Sequence, residues 1–267
     1  MKYKEDGKRL SRALRKKIKQ LQDFTRNHRS GPMLDMDAIR NQVRKYNTIL
    51  NPTIFQRQED YQRIGEWVIS VLCDCSGSMM GQKLKYAKQS LATLAVALDK
   101  LPHVKFELYG FTDGYVDECE DVIDIKIKDY NEKFSVSKMQ DLSSYYGNAD
   151  GINIRTAMDR MKKFKGKKRV LVVISDGQPV YQINGKQGMQ DTKEIIEKAE
   201  KENIKVIGVG IPGVHEEQFK FLYPKRHLLL NNMDVLDKLP EQLSLLILNA
   251  IDERTQKRFV KRFWEMN

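Results

Sequence analysis

The sequence predicts a doubly wound α/β fold, a mostly parallel sheet flanked by helices, with a basic helical extension in front of it. Three observations carry this. The runs "WVISVLC" (67–73) and "RVLVVIS" (169–175) are apolar without alternation, as strands covered on both faces are. Amphipathic segments alternate with such runs at the spacing of βα units. Oxygen-bearing side chains follow the apolar runs immediately, where open parallel sheets carry their functional loops.

Each element has its own signal. Leu10, Leu14, Ile18, Leu21 and Phe24 recur at helical spacing and predict one helix with an apolar stripe and a cationic back. "RSGP" (29–32) interrupts it, and Leu34, Met36, Ile39 and Val43 predict a second short helix capped by Asp35 or Asp37. Residues 1–60 are therefore read as a basic, mainly helical extension and 61–267 as the α/β domain with its C-terminal helix. After the strand at 67–73, Leu84, Ala87, Leu91, Leu94, Ala95, Leu98 and Leu101 supply the buried face of a helix that Pro102 ends. Strands are expected at 104–111, 121–127, 169–175, 204–210 and 227–230. Helices are expected at 151–164, 191–202, 215–222 and from about 234.

Composition narrows the class. With 267 residues, 40% of them hydrophobic, the chain can bury one sizeable core. The net charge of +11 is concentrated at one end: residues 1–30 hold eleven basic residues against three acidic ones. Cys73, Cys75 and Cys119 form neither a C-x-x-C pair nor an even-numbered framework, which points to a reduced, cytoplasmic setting and away from structural zinc. No apolar run is long enough to span a bilayer and no secretory signal opens the sequence. A serine hydrolase is disfavoured because no G-x-S-x-G elbow is present and His28, His103, His215 and His227 are scattered; a phosphate-binding P-loop is absent as well.

Three loops carry the candidate chemistry: Asp74-Cys75-Ser76-Gly77-Ser78, Asn148-Ala149-Asp150-Gly151 and Ser175-Asp176-Gly177. They offer carboxylates and hydroxyls without a convergent His or Cys, a donor set for a hard cation such as Mg²⁺, or alternatively Mn²⁺ or Ca²⁺. Alternate residues of a turn into a helix can face one point, so Ser76 and Ser78 can address the same ion with Asp74 behind them. Gly77 is expected to let that loop bend tightly. Cys73 and Cys75 are read as packing residues.

The D-x-S-x-S loop after an apolar strand, with S-D-G after a second strand about a hundred residues later, resembles the von Willebrand factor A domain and its metal-ion-dependent adhesion site over roughly 66–250. The resemblance implies metal ligation by Asp74, Ser76, Ser78 and Asp176. The family's middle ligand is usually threonine, whereas this loop reads "GNADGINIRTAM"; Asp150 is the candidate there, with Thr112 of "GFT" as the fallback. "PTIFQRQEDYQRIGEWVISVLCDCSGSM" (52–79) and "ISDGQPV" are similar to the corresponding region of the cobaltochelatase T subunit and its relatives.

That resemblance implies a non-catalytic, Mg²⁺-dependent protein-binding module. Its expected partner is a hexameric AAA+ ATPase of the MoxR or cobaltochelatase S type, which would supply a carboxylate to the ion. A generic adaptor is favoured over a true metal-chelatase subunit. The competing reading is nucleic-acid binding through residues 1–30, for which the Ro autoantigen is a family precedent; only Tyr3 and Phe24 there could stack on bases.

Overall fold

The computed structural model describes residues 2–20, 24–28, 33–34, 36, 39–40, 44, 55–58, 67–101, 104–116, 119–164, 168–177, 179, 188–230 and 239–251. The chain divides into two compact units, Met1–Arg12 together with Glu66–Asn267, and Ala13–Gly65. The boundary expected near residue 60 is thus displaced slightly, and the first twelve residues belong with the α/β unit.

The smaller unit holds a three-stranded sheet where the sequence reading placed helices. β1 (Phe24–His28) and β2 (Met33–Leu34) both pair antiparallel with β3 (Phe55–Gln58), with a register slip between Thr25 and His28. The pairings join residues between 21 and 34 positions apart, so no local periodicity announces them. Phe24 and Leu34, assigned to helical stripes from spacing, lie on strands. The expected second helix falls mostly outside the described residues; Met36, Ile39, Arg40 and Arg44 do have helical backbone.

In the larger unit, β4 (Trp67–Asp74) is the centre of a six-stranded sheet. It lies between β5 (Val104–Val116) and β7 (Lys168–Ser175) and is parallel to both. β8 (Ile204–Gly210) and β9 (His227–Leu229) continue the parallel order beyond β7. β6 (Cys119–Lys128) forms the opposite edge, antiparallel to β5, and turns the expected pair of short strands into one long hairpin. Every residue of β4 is buried, as its unbroken apolar run requires.

The helices α1 (Lys2–Gln20), α2 (Gln82–Leu98), α3 (Asp150–Lys162), α4 (Gly188–Lys201), α5 (Glu216–Leu222) and α6 (Leu239–Ile251) complete the fold. On one face of the sheet, α3 and α4 set Ile154, Met158 and Ile195 against Val68, Leu72 and Leu171. The C-terminal half of α2 is buried nearly all round: Leu91, Ala92, Leu94, Ala95, Val96, Ala97 and Leu98 are each at most 9% exposed. A helical segment apolar on every side needs cover on every side, and α1 supplies part of it for this half. A Cβ at Gly7 would stand 2.5 Å from Val96 Cγ1 and 3.1 Å from the Thr93 carbonyl oxygen, so only glycine allows this approach.

The close approach widens the buried side of α1 from Leu14 of the leucine stripe to Gly7 and Ser11 beside it. Gly7, Ser11 and Leu14 are buried and Leu10 is half-buried, while Lys4, Lys8, Arg9, Arg12 and Arg15 are exposed. Among the described residues, no helix is long and apolar enough to cross a membrane.

A buried ionic group braces α3 against the hairpin. Glu107, on β5 and wholly buried, accepts from Ser70 Oγ at 2.6 Å and from Arg160 Nε at 2.9 Å. Arg160 also bonds Asp124 of β6 at 2.6 Å and lies 4.0 Å from the Tyr109 ring centroid. Asn153 reaches the other Asp124 oxygen at 2.8 Å. Burial raises the Glu107 carboxyl; Arg160 and Ser70 oppose that rise without cancelling it.

Candidate functional site

Parallel pairing places the C-terminal ends of β4 and β7 side by side, so Asp74 and Ser175 emerge next to each other beneath the N-terminus of α3. Asp74 is wholly buried; its Oδ1 accepts the Ser76 N–H at 2.7 Å. Its Oδ2 lies 3.1 Å from Ser175 Oγ and 3.3 Å from Asn148 Nδ2, both donors. The Ser175 hydroxyl also lies 3.4 Å from Asp150 Oδ2 and accepts the Gly177 N–H at 2.9 Å. The hydroxyls of Ser76 and Ser78 are 2.9 Å apart.

Two carboxylate oxygens of this site, Asp150 Oδ1 and Asp176 Oδ1, are buried and have no hydrogen-bond partner among the described residues. A buried acceptor without a donor is costly, and buried carboxylates sharing one site repel. Burial pushes the Asp74 carboxyl up to about 6, the Ser76 bonds opposing and the Asp176 charge adding to the rise. Asp150 is driven well above the carboxylate range, by burial first and then by the charges of Asp74 and Asp176. The Tyr223 phenol is likewise raised, by burial and by those of Asp150 and Asp74. An oxygen-rich cluster that resists its own negative charge is the environment a hard cation neutralises.

Asp74, Ser76, Ser78, Asp150 and Asp176 therefore come from three separate loops to one end of the sheet. Thr112 is put to another use: its hydroxyl faces the carbonyl oxygens of Gly147 at 2.9 Å and Asp113 at 3.2 Å, tying β5 to the loop that leads into α3. Among the described residues, no group of three or more His, Cys, Asp or Glu side chains is gathered at metal-holding distances. A bound cation would thus depend on the serine hydroxyls as well as on the two orphaned carboxylate oxygens.

Two residues that position the carboxylates, Ser175 and Asn148, were not singled out from sequence. Their signal was adjacency to Asp176 and Asp150 within the loops already noted. Gly77 serves differently from expectation. It is not among the positive-φ glycines; instead, a Cβ there would lie 3.1 Å from the Tyr145 carbonyl oxygen and 3.2 Å from that of Tyr146. Its N–H donates to the Tyr146 carbonyl at 2.8 Å, so glycine permits two loops to lie against each other. Cys73 and Cys75 are free and buried, in keeping with a packing role.

Residues 69–234, more than half of the chain, match the family profile of the von Willebrand factor type A domain. The chain belongs to that family. VWA domains are protein-binding modules, and the six-stranded, mostly parallel sheet flanked by helices is the VWA form of the Rossmann-like α/β fold.

A curated relative, the uncharacterized protein YojO of Bacillus subtilis (strain 168), is 26% identical over 248 residues, covering 88% of this chain and 38% of YojO. The chain thus spans little more than a third of that relative's length. Among solved structures, the PilB minor pilin from Streptococcus sanguinis is similar with a TM-score of 0.57 at 12% identity, over 78% of this chain and 68% of that one. The von Willebrand factor type A protein from Catenulispora acidiphila gives a TM-score of 0.53 at 16% identity, over 72% of this chain and 44% of that one. At these identities the two structures show a shared fold.

Proposed function

We propose that this VWA chain is a non-catalytic adaptor that binds a partner protein through a divalent cation, Mg²⁺ or a related hard ion, held by Asp74, Ser76, Ser78, Asp150 and Asp176. The supporting observation is the pair of buried, unpartnered oxygens, Asp150 Oδ1 and Asp176 Oδ1, beside two serine hydroxyls that lie 2.9 Å apart. With hydroxyls contributing part of the ligand set, the ion would keep enough positive charge to accept a carboxylate from outside. Asp150 is favoured over Thr112 as the middle ligand, because the Thr112 hydroxyl faces backbone carbonyls.

The partner proposed is a hexameric AAA+ ATPase of the MoxR or cobaltochelatase type, and the compartment the cytoplasm. Isothermal titration of Mg²⁺ into wild-type protein is expected to give saturable binding that Asp74→Ala and Ser76→Ala abolish while the circular dichroism spectrum is retained. Capture of a MoxR-type ATPase should need Mg²⁺; capture that persists in EDTA would overturn the reading.

A second reading has one observation in its favour. Lys4, Lys8, Arg9, Arg12 and Arg15 share the exposed side of α1, as an electrostatic nucleic-acid contact requires. It expects RNA binding that weakens steeply with salt and survives Asp74→Ala.

A further inference from the structure

Five large apolar side chains are exposed among the described residues: Met36, Met80, Tyr145, Tyr146 and Phe221. Three of them belong to the two loops around Ser76 and Ser78. Met80 is 70% exposed, directly after Met79, which is wholly buried; Tyr146 is 69% exposed and Tyr145 48%. Single exposed apolar residues are ordinary, but a concentration of them beside a functional site marks a contact surface.

Their exposure does not come from loose backbone. The Tyr145 N–H donates to the Cys75 carbonyl and the Gly77 N–H to the Tyr146 carbonyl, both at 2.8 Å. The next residue, Gly147, is held on the other side, its N–H by an Asp113 carboxylate oxygen and its carbonyl by the Asp113 N–H at 3.2 Å and the Thr112 hydroxyl. The Met80 N–H bonds the Gly77 carbonyl at 3.1 Å. Two tyrosines and a methionine are thus held out to solvent by a sewn framework that also carries Ser76 and leads into Asn148 and Asp150. Tyrosine and methionine are enriched at protein interfaces, and rigid presentation lowers the ordering cost of binding.

We infer that Met80, Tyr145 and Tyr146 form an apolar collar around the cation site, and that the partner's docking element is a carboxylate flanked by apolar side chains rather than an acidic residue in a polar stretch. This rests on the cation-dependent reading above and names the chemistry of its partner. The site selects the acid, by charge complementarity through the cation; the collar selects the neighbours and shields the carboxylate contact from water. Asp74, Asp113, Asp150 and Asp176 lie in the loops beside the collar, so an anion is drawn there only through the cation, and the oligouridylate measurement below separates phosphate from carboxylate.

The test is selection of a phage-displayed random peptide library on the full chain, in Mg²⁺ and in EDTA, alongside the variant Tyr145→Ser/Tyr146→Ser. Mg²⁺ titration into the variant establishes that the ion still binds. Peptides enriched only in Mg²⁺ should carry Asp or Glu next to Leu, Phe, Met or Trp, and the variant should bind them at least about tenfold more weakly. Acidic peptides with polar neighbours, or equal binding by the variant, would overturn the collar while leaving the cation reading intact. Apolar peptides enriched equally in EDTA would overturn both. Labelled oligouridylate binding that depends on the two tyrosines would overturn the collar in favour of base stacking.

Discussion

Removing the guanidinium of Arg160 should be among the most damaging single changes in this domain. Arg160→Met keeps the length of the side chain and deletes bonds of 2.9 Å to Glu107 and 2.6 Å to Asp124, together with the stacking on Tyr109. Glu107 is wholly buried and would retain only the Ser70 hydroxyl. Stranding one member of a buried ion pair costs about 3–5 kcal/mol, chiefly because the remaining charge has nothing to offset its lost hydration. Glu107→Gln should cost less, about 1–2 kcal/mol, since the amide oxygen still accepts from Arg160 and Asp124 still pairs with it. In the double variant no buried charge is stranded, so its loss should fall short of the sum by about 2–3 kcal/mol. Urea unfolding of the four proteins measures this, with Arg160→Met lowering the midpoint by more than about 1 M. Amide exchange in α3 should accelerate in the same variant. A loss below about 1 kcal/mol for Arg160→Met, or additivity in the double variant, would refute the reasoning.

Three further outcomes are expected. Asp150→Asn should raise the melting temperature in EDTA, because it relieves repulsion from Asp74 and Asp176, and should erase any rise that Mg²⁺ gives the wild type; scanning fluorimetry reads both. Gly7→Val should cost about 1–3 kcal/mol by forcing α1 away from Val96, seen as faster amide exchange in α2 while the sheet stays protected. For Glu200, burial favours the neutral acid, but the Val206 N–H, Arg226 and Lys225 outweigh it and lower its pKa below the usual 4.5. A depressed acid stabilises the fold above its unfolded pKa and loses that contribution as pH falls through the folded one. Glu200→Gln should therefore narrow its gap to wild type below about pH 4.5 in acid-unfolding curves, and a constant gap would contradict this.

What could be read from the sequence was whatever a residue's own neighbours determine. β8 was placed to the residue at 204–210 because an apolar run with clear borders leaves no choice. β5 was expected to stop at 111 but runs to Val116, since "TDGYV" carries no apolar pattern and its order comes from pairing with β6. The same limit applied at the site. Asp74, Ser76, Ser78 and Asp176 stood out because a loop after a buried strand is a local feature. Ser175 as the hydroxyl between Asp74 and Asp150 depends on β4 and β7 being neighbours, which spacing alone does not establish. On α1 the buried Leu14 is legible from its spacing, whereas the close approach at Gly7 and Ser11 is not, because small residues carry no apolar signal of their own.

The seat of α1 on α2 bears on how the chain matures during synthesis. Gly7 must find Val96, about 90 residues further along, so at roughly 5–20 residues per second the first helix leaves the ribosome several seconds before its resting place exists. A shortened version beginning at residue 66 would never receive this cover. It would emerge with the Thr93 and Val96 face of α2 bare and prone to self-association, even though every residue matched to the family profile was present.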